Sequence, residues 1–270
     1  NRLSFGLQSA DEKELKLLER IHTYETFEEN FHLARKCGFA NINVDLMSAL
    51  PGQSVESYRQ TLQKVCKLEP EHISAYSLII EEGTPFAKRY GKDAKKREAG
   101  EVPQFLPSEE EERQMYEDTA RILLEHGYRR YEISNYAKEG YFCRHNAGYW
   151  KRVDYIGFGL GASTLQNPLR YKNTDCLETY LQQDFSKKEL LVLTKDNQIE
   201  ETMFLGLRMM AGVSLTEFEE HFHCPLSVIC QREIKKLTEE ALIQVKNDRI
   251  FLTEKGIDLS NYALSEFLLG

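Results

Sequence analysis

The stretch "NINVDLMSALPGQSVESYRQTLQKVCKLEPEHISAYSLII", Asn41–Ile80, decides the fold class. "NINVDLM" reads as a strand, "LPGQS" turns the chain, and "SVESYRQTLQKVCKL" carries apolar residues at helical spacing. "HISAYSLII" is then a second strand. A strand, a helix and a strand in this order form a parallel βαβ unit.

The pattern extends both ways. Upstream, "RLSFGLQ" is a strand and "DEKELKLLERIH" a helix with an acidic first turn. "TYETFEENFHLARKCG" is a second helix, capped by Thr23 and stopped at Gly38. Downstream, the segment from "EEGTPF" through "KDAKKREAGEVPQFLP" is rich in charge, Gly and Pro and is expected to be a mobile loop. "PSEEEERQMYEDTARILLEHG" is a helix with a Ser108–Glu111 capping box, ending at Gly127. "YRRYEISNYA" and "DYIGFGLGAS" read as further strands, with "RHNAGYW", Arg144–Trp150, in the loop between them. About four or five strands before Gly161 are too few for a closed eight-stranded barrel. The expected architecture is α/β, an open sheet or partial barrel.

The tail changes character. "IEETMFLGLRMMAGV", "SLTEFEEHF" and "PLSVICQREIKKLTEEALI" read as three helices, and "QVKNDRIFLTEKG" as a hairpin, together a winged-helix pattern. The expected domains are residues 1–165 and 193–270, joined by a connecting segment, 166–192. DNA binding is disfavoured, because from Lys187 onward ten Lys/Arg face fourteen Asp/Glu.

The whole chain of 270 residues has a net charge of −8, which argues against broad attraction to nucleic acid or anionic lipid. No apolar run approaches the roughly 18 residues of a membrane span, and no signal peptide is visible. The six cysteines are scattered, and "CPLSVIC" does not match short metal-ligand spacings. Reduced thiols in a cytoplasmic protein are expected. The chain opens without Met, already alternating as a strand, as though it starts inside a larger fold.

Three polar residues stand out. Asp45 interrupts "NVDLM", Gln8 ends the first strand, and Arg20 closes the helix after it. Ligands in βα folds sit at the C-terminal ends of strands. Arg suits a carboxylate and Asp accepts from vicinal hydroxyls, so the trio suits a zwitterionic or hydroxyl-bearing small molecule. An exposed strand end or a structural ion pair is the alternative for Asp45.

The segments "NRLSFGLQS", "LERIH", "NVDLMSALPGQS", "HISAYSLIIEEGTPF", "YEISNYAKEGYFCRHNAGYW" and "DYIGFGLGAS" together resemble the oxygen-independent coproporphyrinogen III oxidase-like radical SAM family. The resemblance runs through nearly the whole chain. It implies a partial, open TIM-like (β/α) radical SAM barrel, truncated at its N-terminus, with a small C-terminal domain. It implies S-adenosylmethionine as ligand, with Gln8 and Asp45 at the ribose and Arg20 at the methionine carboxylate. The family's CxxxCxxC loop, which holds a [4Fe–4S] cluster, does not occur in this chain. Its place would be upstream of residue 1, and the polypeptide alone is expected to be inactive as a radical enzyme.

One branch of the family comprises oxidases that decarboxylate coproporphyrinogen III. The other comprises HemW-type heme chaperones, which pass heme to acceptor proteins. "HNAGYW" fits the HNxxYW motif of the second branch at His145, Asn146, Tyr149 and Trp150. An imidazole can ligate heme iron and aromatic rings can cover a porphyrin face, with Cys143 a further soft ligand. A backbone-bonded loop histidine and a tryptophan plug are the bland alternatives. An oxidase and a non-catalytic interaction module are the competing functions.

Overall fold

Alternation along three strands layers the first unit. In β1 (Leu3–Gln8) and β2 (Ile42–Ser48), Leu3, Phe5 and Leu7, and Ile42, Val44 and Leu46, point to one face. Ile73 of β3 (His72–Ser77) joins them. That face is covered by α2 (Tyr24–Lys36), α3 (Val55–Lys67) and α5 (Glu109–Glu125), which bring Phe27 and Phe31, Tyr58, Leu62 and Val65, and Met115, Ile122 and Leu123 into one core. The opposite face carries Ser4 and Gly6, Asn43 and Asp45, and His72 and Ser74. Asp45 is therefore not an interruption of a doubly buried strand. It belongs to a polar row.

The structure, a computed structural model, describes residues 1–269 and divides into two units, residues 1–142 and residue 143 onward. β1, β2 and β3 run parallel, as the βαβ reading requires. α1 (Glu12–Leu17), capped by Asp11, precedes α2. "YRRYEISNYA" is not one strand. It folds as a hairpin, β4 (Arg129–Glu132) and β5 (Asn135–Ala137), turning at Ile133 and Ser134. β5 pairs antiparallel with β3, giving an open mixed sheet in the order β1-β2-β3-β5-β4.

The segment expected to be a mobile loop is largely α4 (Pro85–Glu98). Thr84 caps it, accepting from Ala87 N–H, and Pro85 opens it without losing a bond. Its long Lys- and Arg-rich face read as loop composition in the sequence, but basic residues suit a helix C-terminus. The buried carboxylate of Asp93 then accepts from the N–H groups of Gln104, Phe105 and Leu106 at 2.7, 2.5 and 2.9 Å, folding the following segment back on the helix. Phe105 C=O accepts from Gly52 N–H, which ties this excursion to the "LPGQS" turn. Leu50, Leu78 and Leu106 form a small apolar cluster beneath it.

The second unit begins with α6 (Arg144–Trp150). An antiparallel sheet follows, β6 (Ser163–Gln166), β7 (Leu169–Asn173) and β8 (Lys187–Val192), with α7 (Leu177–Leu181) between the last two. "DYIGFGLGAS" is not a parallel strand: only its last residue, Ser163, reaches β6, with Tyr155 bridging back to Leu165. Next come α8 (Lys195–Gly206), β9 (Val213–Ser214), α9 (Leu215–Phe222), α10 (Leu226–Ile229) and α11 (Gln231–Glu239). The hairpin of β10 (Ile243–Lys246) and β11 (Arg249–Leu252) joins β9 in a three-stranded sheet. The expected third helix is broken at Cys230 into α10 and α11, and α12 (Glu254–Asp258) and α13 (Ser260–Ser265) follow the hairpin. A Cβ on Gly256 would stand 1.8 Å from Leu242 C=O, so only glycine lets α12 pack there. No helix among the described residues is long and apolar enough to cross a membrane.

Burial alone would raise the Asp93 carboxyl, but the three N–H groups outweigh it and hold it below its ordinary value. Its contribution is thus present at neutral pH and lost as pH falls through the carboxylate range. Asp93→Asn loses acceptor capacity and should cost on the order of 1–3 kcal/mol. Limited proteolysis should cut residues 99–106 of that variant at neutral pH, while the unaltered chain becomes sensitive there only below about pH 4.

Candidate functional site

The ends of β1 and β2 are fixed by one carboxylate. Glu14, buried on α1, accepts from Ser9 Oγ at 2.6 Å, Gln53 Nε2 at 2.8 Å and Ser57 Oγ at 2.7 Å. Ser9 lies in the β1–α1 connection, Gln53 in the "LPGQS" turn and Ser57 in the first turn of α3. The donors are all neutral, and the positive end of the α3 dipole supplies the remaining stabilisation. Gln53 is fully used, since its Oε1 accepts from Leu50 N–H and its Nε2 also reaches Met47 C=O.

Gln8 follows directly. Ser9 N–H donates to Leu7 C=O at 2.9 Å, closing a γ-turn with Gln8 at its centre and φ at 69°. A non-glycine residue in this conformation is strained by about 1–3 kcal/mol, and such strain concentrates at binding sites. The turn shifts the register between Gly6 and Gln8 and swings the Gln8 side chain back along the strand. A Cβ on Gly6 would lie 2.9 Å from Gln8 Nε2, and Gly6 is the register partner of Asp45. Gln8 and Asp45 are thus brought to neighbouring positions on the polar face.

Asp45 is held from two sides. Ser4 Oγ donates to its Oδ2 at 3.0 Å and Asn43 Nδ2 to its Oδ1 at 2.8 Å. Behind Asn43 stand His72 and Ser74, and behind His72 stands Tyr131. Burial, and then the Arg2 guanidinium, pull the His72 imidazole down to about 3. Burial raises the Tyr76 hydroxyl on the same face, with Asp45 and Glu132 adding to the shift.

Arg20 is placed differently. Glu19, with φ at 57°, and the Arg20 N–H to Leu15 C=O bond end α1 in a Schellman-type turn that fixes the Arg20 backbone. Its side chain is exposed and makes no hydrogen bond or ion pair with the described residues. The structure sets Gln8 and Asp45 at neighbouring positions on the polar face and leaves Arg20 exposed.

"RHNAGYW" is a helix, not the loop expected between strands. Seven residues with an internal glycine and three aromatic rings carry too weak a propensity to be read as one. Four-residue spacing puts His145 and Tyr149 on one face, where Tyr149 OH meets His145 Nε2 at 3.0 Å and the rings stand edge to face at 4.8 Å. Tyr149 in turn packs edge to face on Tyr155. Trp150 lies under the Arg208 guanidinium, 4.5 Å from the ring centre, and its indole Nε1 is buried without a partner. Tyr149, Trp150, Tyr155, Leu165, Phe204 and Leu205 line a pocket of about 340 Å³, bordered by Arg170 and Glu201. His145 is exposed while Cys143 is buried at the start of α6, so the two are not presented as a ligand pair.

Sequence reasoning missed what supports this pocket. Glu201 of α8 accepts from Arg152 Nε at 2.9 Å and from both terminal nitrogens of Arg170 at 2.6 and 2.8 Å. It also missed Asn43, His72, Tyr131 and Glu14. The alternation of Ser4 with Gly6, Asn43 with Asp45 and His72 with Ser74 was the available signal for the polar row. No group of three metal-ligating side chains occurs among the described residues, and none of the six cysteines forms a disulfide.

Two family models match the chain, the Radical SAM superfamily over residues 1–65 and the HemN C-terminal domain over residues 193–259. A solved structure of coproporphyrinogen III oxidase (HemN) from Escherichia coli, a radical SAM enzyme, shares the fold with a TM-score of 0.81. It is 22% identical, and the match covers 100% of this chain and 64% of that one. The fold is thus the open TIM-like architecture of the radical SAM class, joined to a HemN-type C-terminal domain. Curated relatives named heme chaperone HemW are 36% identical in Lactococcus lactis, over 100% of this chain and 69% of the relative, and 36% identical in Bacillus subtilis, over 99% and 69%. The Haemophilus influenzae HemW is 32% identical over 99% and 67%. The chain belongs to the HemW family of radical SAM proteins. It spans about two thirds of the length of these relatives.

Two outcomes follow from this geometry. Glu14→Gln turns one of the two acceptor oxygens into an amide donor facing either Ser57 or the Ser9–Gln53 pair, and should destabilise the first unit by about 2–3 kcal/mol, read by urea unfolding. His72 holds fewer protons folded than unfolded between its ordinary value of 6.5 and about 3, so stability falls as pH drops through that window. The slope contributed approaches about 1.4 kcal/mol per pH unit, and it should vanish in His72→Gln.

Proposed function

We propose that this chain binds heme through α6 and S-adenosylmethionine at the strand ends of its first unit, and that the protein serves heme trafficking, passing heme to acceptor proteins. The observation that carries the reading is the HNxxYW segment folded as a helix with an exposed imidazole. The edge-to-face rings of Tyr149 and Tyr155 and the unpartnered Trp150 Nε1 lie beside it. Relatives at 32–36% identity that carry the name heme chaperone support it. A porphyrin is a large apolar plane with polar edges, and the pocket at Tyr149 and Trp150 offers apolar walls with one buried donor. His145 Nδ1 is the ring nitrogen left for iron while Nε2 meets Tyr149.

In the first unit, Asp45 accepts the ribose hydroxyls, Gln8 donates beside it, and Arg20 reaches the methionine carboxylate from its exposed position. When bound, adenosylmethionine supplies radical chemistry in this class. A [4Fe–4S] cluster finds no ligand set among the described residues. Free thiols at Cys37 and Cys176 support a reducing, cytoplasmic setting. Oxidation of coproporphyrinogen III rests only on a shared fold, and no residue here favours it over heme binding.

Heme titration tests the proposal. A new Soret band should form, and His145→Ala should weaken binding more than about tenfold, with Tyr149→Phe shifting the band less. Binding unchanged by His145→Ala and Trp150→Ala together would remove α6 from the heme site.

A further inference from the structure

The polar face behind Asp45 has a proton arrangement that can be deduced link by link. Asp45 is an acceptor on both oxygens, so the Asn43 group facing it at 2.8 Å must be the amide nitrogen. The same nitrogen gives its second hydrogen to Ser4 Oγ at 2.7 Å, which leaves the Ser4 hydroxyl proton for Asp45 Oδ2 at 3.0 Å. Asn43 Oδ1 is then an acceptor. It takes the Ser74 hydroxyl at 3.1 Å and His72 Nδ1 at 2.5 Å, so the proton of the neutral imidazole sits on Nδ1. His72 Nε2 is in turn an acceptor and takes the Tyr131 hydroxyl at 2.8 Å. Every donated hydrogen in this chain has one acceptor, and all its arrows run toward Asp45. Asn43, His72 and Ser74 are buried, so water does not compete for the links.

We infer that Tyr131, His72 and Asn43 are positioning residues that aim the Asp45 carboxylate at a vicinal diol, so that this site selects ribonucleosides over deoxyribonucleosides. The inference rests on the reading of Asp45 as the ribose acceptor and adds what makes that carboxylate selective. Two lone pairs of Asp45 are committed to Ser4 and Asn43 in fixed directions, and its register partner, Gly6, places no side chain beside it. A carboxylate free to rotate would accept one hydroxyl as readily as two. A clamped one matches a pair of adjacent hydroxyls.

The probes are adenosine and 2′-deoxyadenosine, titrated into the chain and followed by ligand-observed NMR. The unaltered chain should prefer adenosine by about tenfold, and Asp45→Ala should bring the ratio near one. His72→Phe and Tyr131→Phe should each reduce the preference several-fold while melting as cooperative folded proteins. His72→Gln, which keeps one donor and one acceptor, should restore most of it. Tyr131→Phe keeps the ring and serves if His72→Phe does not fold. Nitrogen-15 spectra should show His72 protonated on Nδ1. A preference lost in Asp45→Ala but unchanged in Tyr131→Phe and whichever His72 variant folds would overturn the positioning role and leave the ribose reading standing. A preference unchanged in Asp45→Ala, or absent in the unaltered chain, would overturn both. A proton on Nε2 would overturn the directed chain.

Discussion

The candidate ligand face depends on the burial of one charge. Glu14 sits where two connections and a helix start converge, and it is satisfied there by Ser9, Gln53 and Ser57 with no cation. A buried carboxylate without donors would be expelled or neutralised. Its presence therefore demands that the β1–α1 connection, the "LPGQS" turn and the first turn of α3 keep one mutual arrangement. The Ser9 hydroxyl bound to Glu14 also accepts from Asp11 N–H, and Asp11 caps α1. The γ-turn at Gln8 is built immediately before that anchor. One polar cluster thus sets the strand end, the helix start and the loop opposite.

The sheet divides its labour by face. On one side, truncating a core residue such as Leu62 to Ala would cost about 2–5 kcal/mol. On the other, hydrogen bonds replace packing, and Asp45, Asn43 and His72 stay fixed because each satisfies the next. The second unit applies the same solution once more, with Glu201 gathering Arg152 and Arg170 beside an aromatic pocket. Both candidate regions are polar networks set into apolar scaffolds, which gives fixed directions at the cost of leaving no slack for a missing partner.

Much of this was legible in the sequence. The βαβ order, the Thr23 cap, the Ser108–Glu111 box and the hairpin of the tail all depend on local signals, and the chain adopts them. Gln8 and Asp45 stood out because each sits at a strand end or inside a strand where apolar residues were expected. The hairpin in "YRRYEISNYA" was missed because its turn, Ile133 and Ser134, contains neither Gly nor Pro. α4 was missed because its composition mimics a loop and its anchor, Asp93, works through residues eleven to thirteen positions away. His72 and Tyr131 were invisible for a similar reason. They lie 59 residues apart, and only the closing of the sheet makes them partners.

The γ-turn at Gln8 has a consequence for how a ligand arrives. Its unfavourable backbone geometry is imposed during folding, when Glu14 locks the residues just beyond it. The amide therefore waits in place before any ligand is present, and association need not freeze a wandering loop. Binding at that rim should lose little configurational entropy, and selectivity there should reflect shape and donor placement more than adaptation.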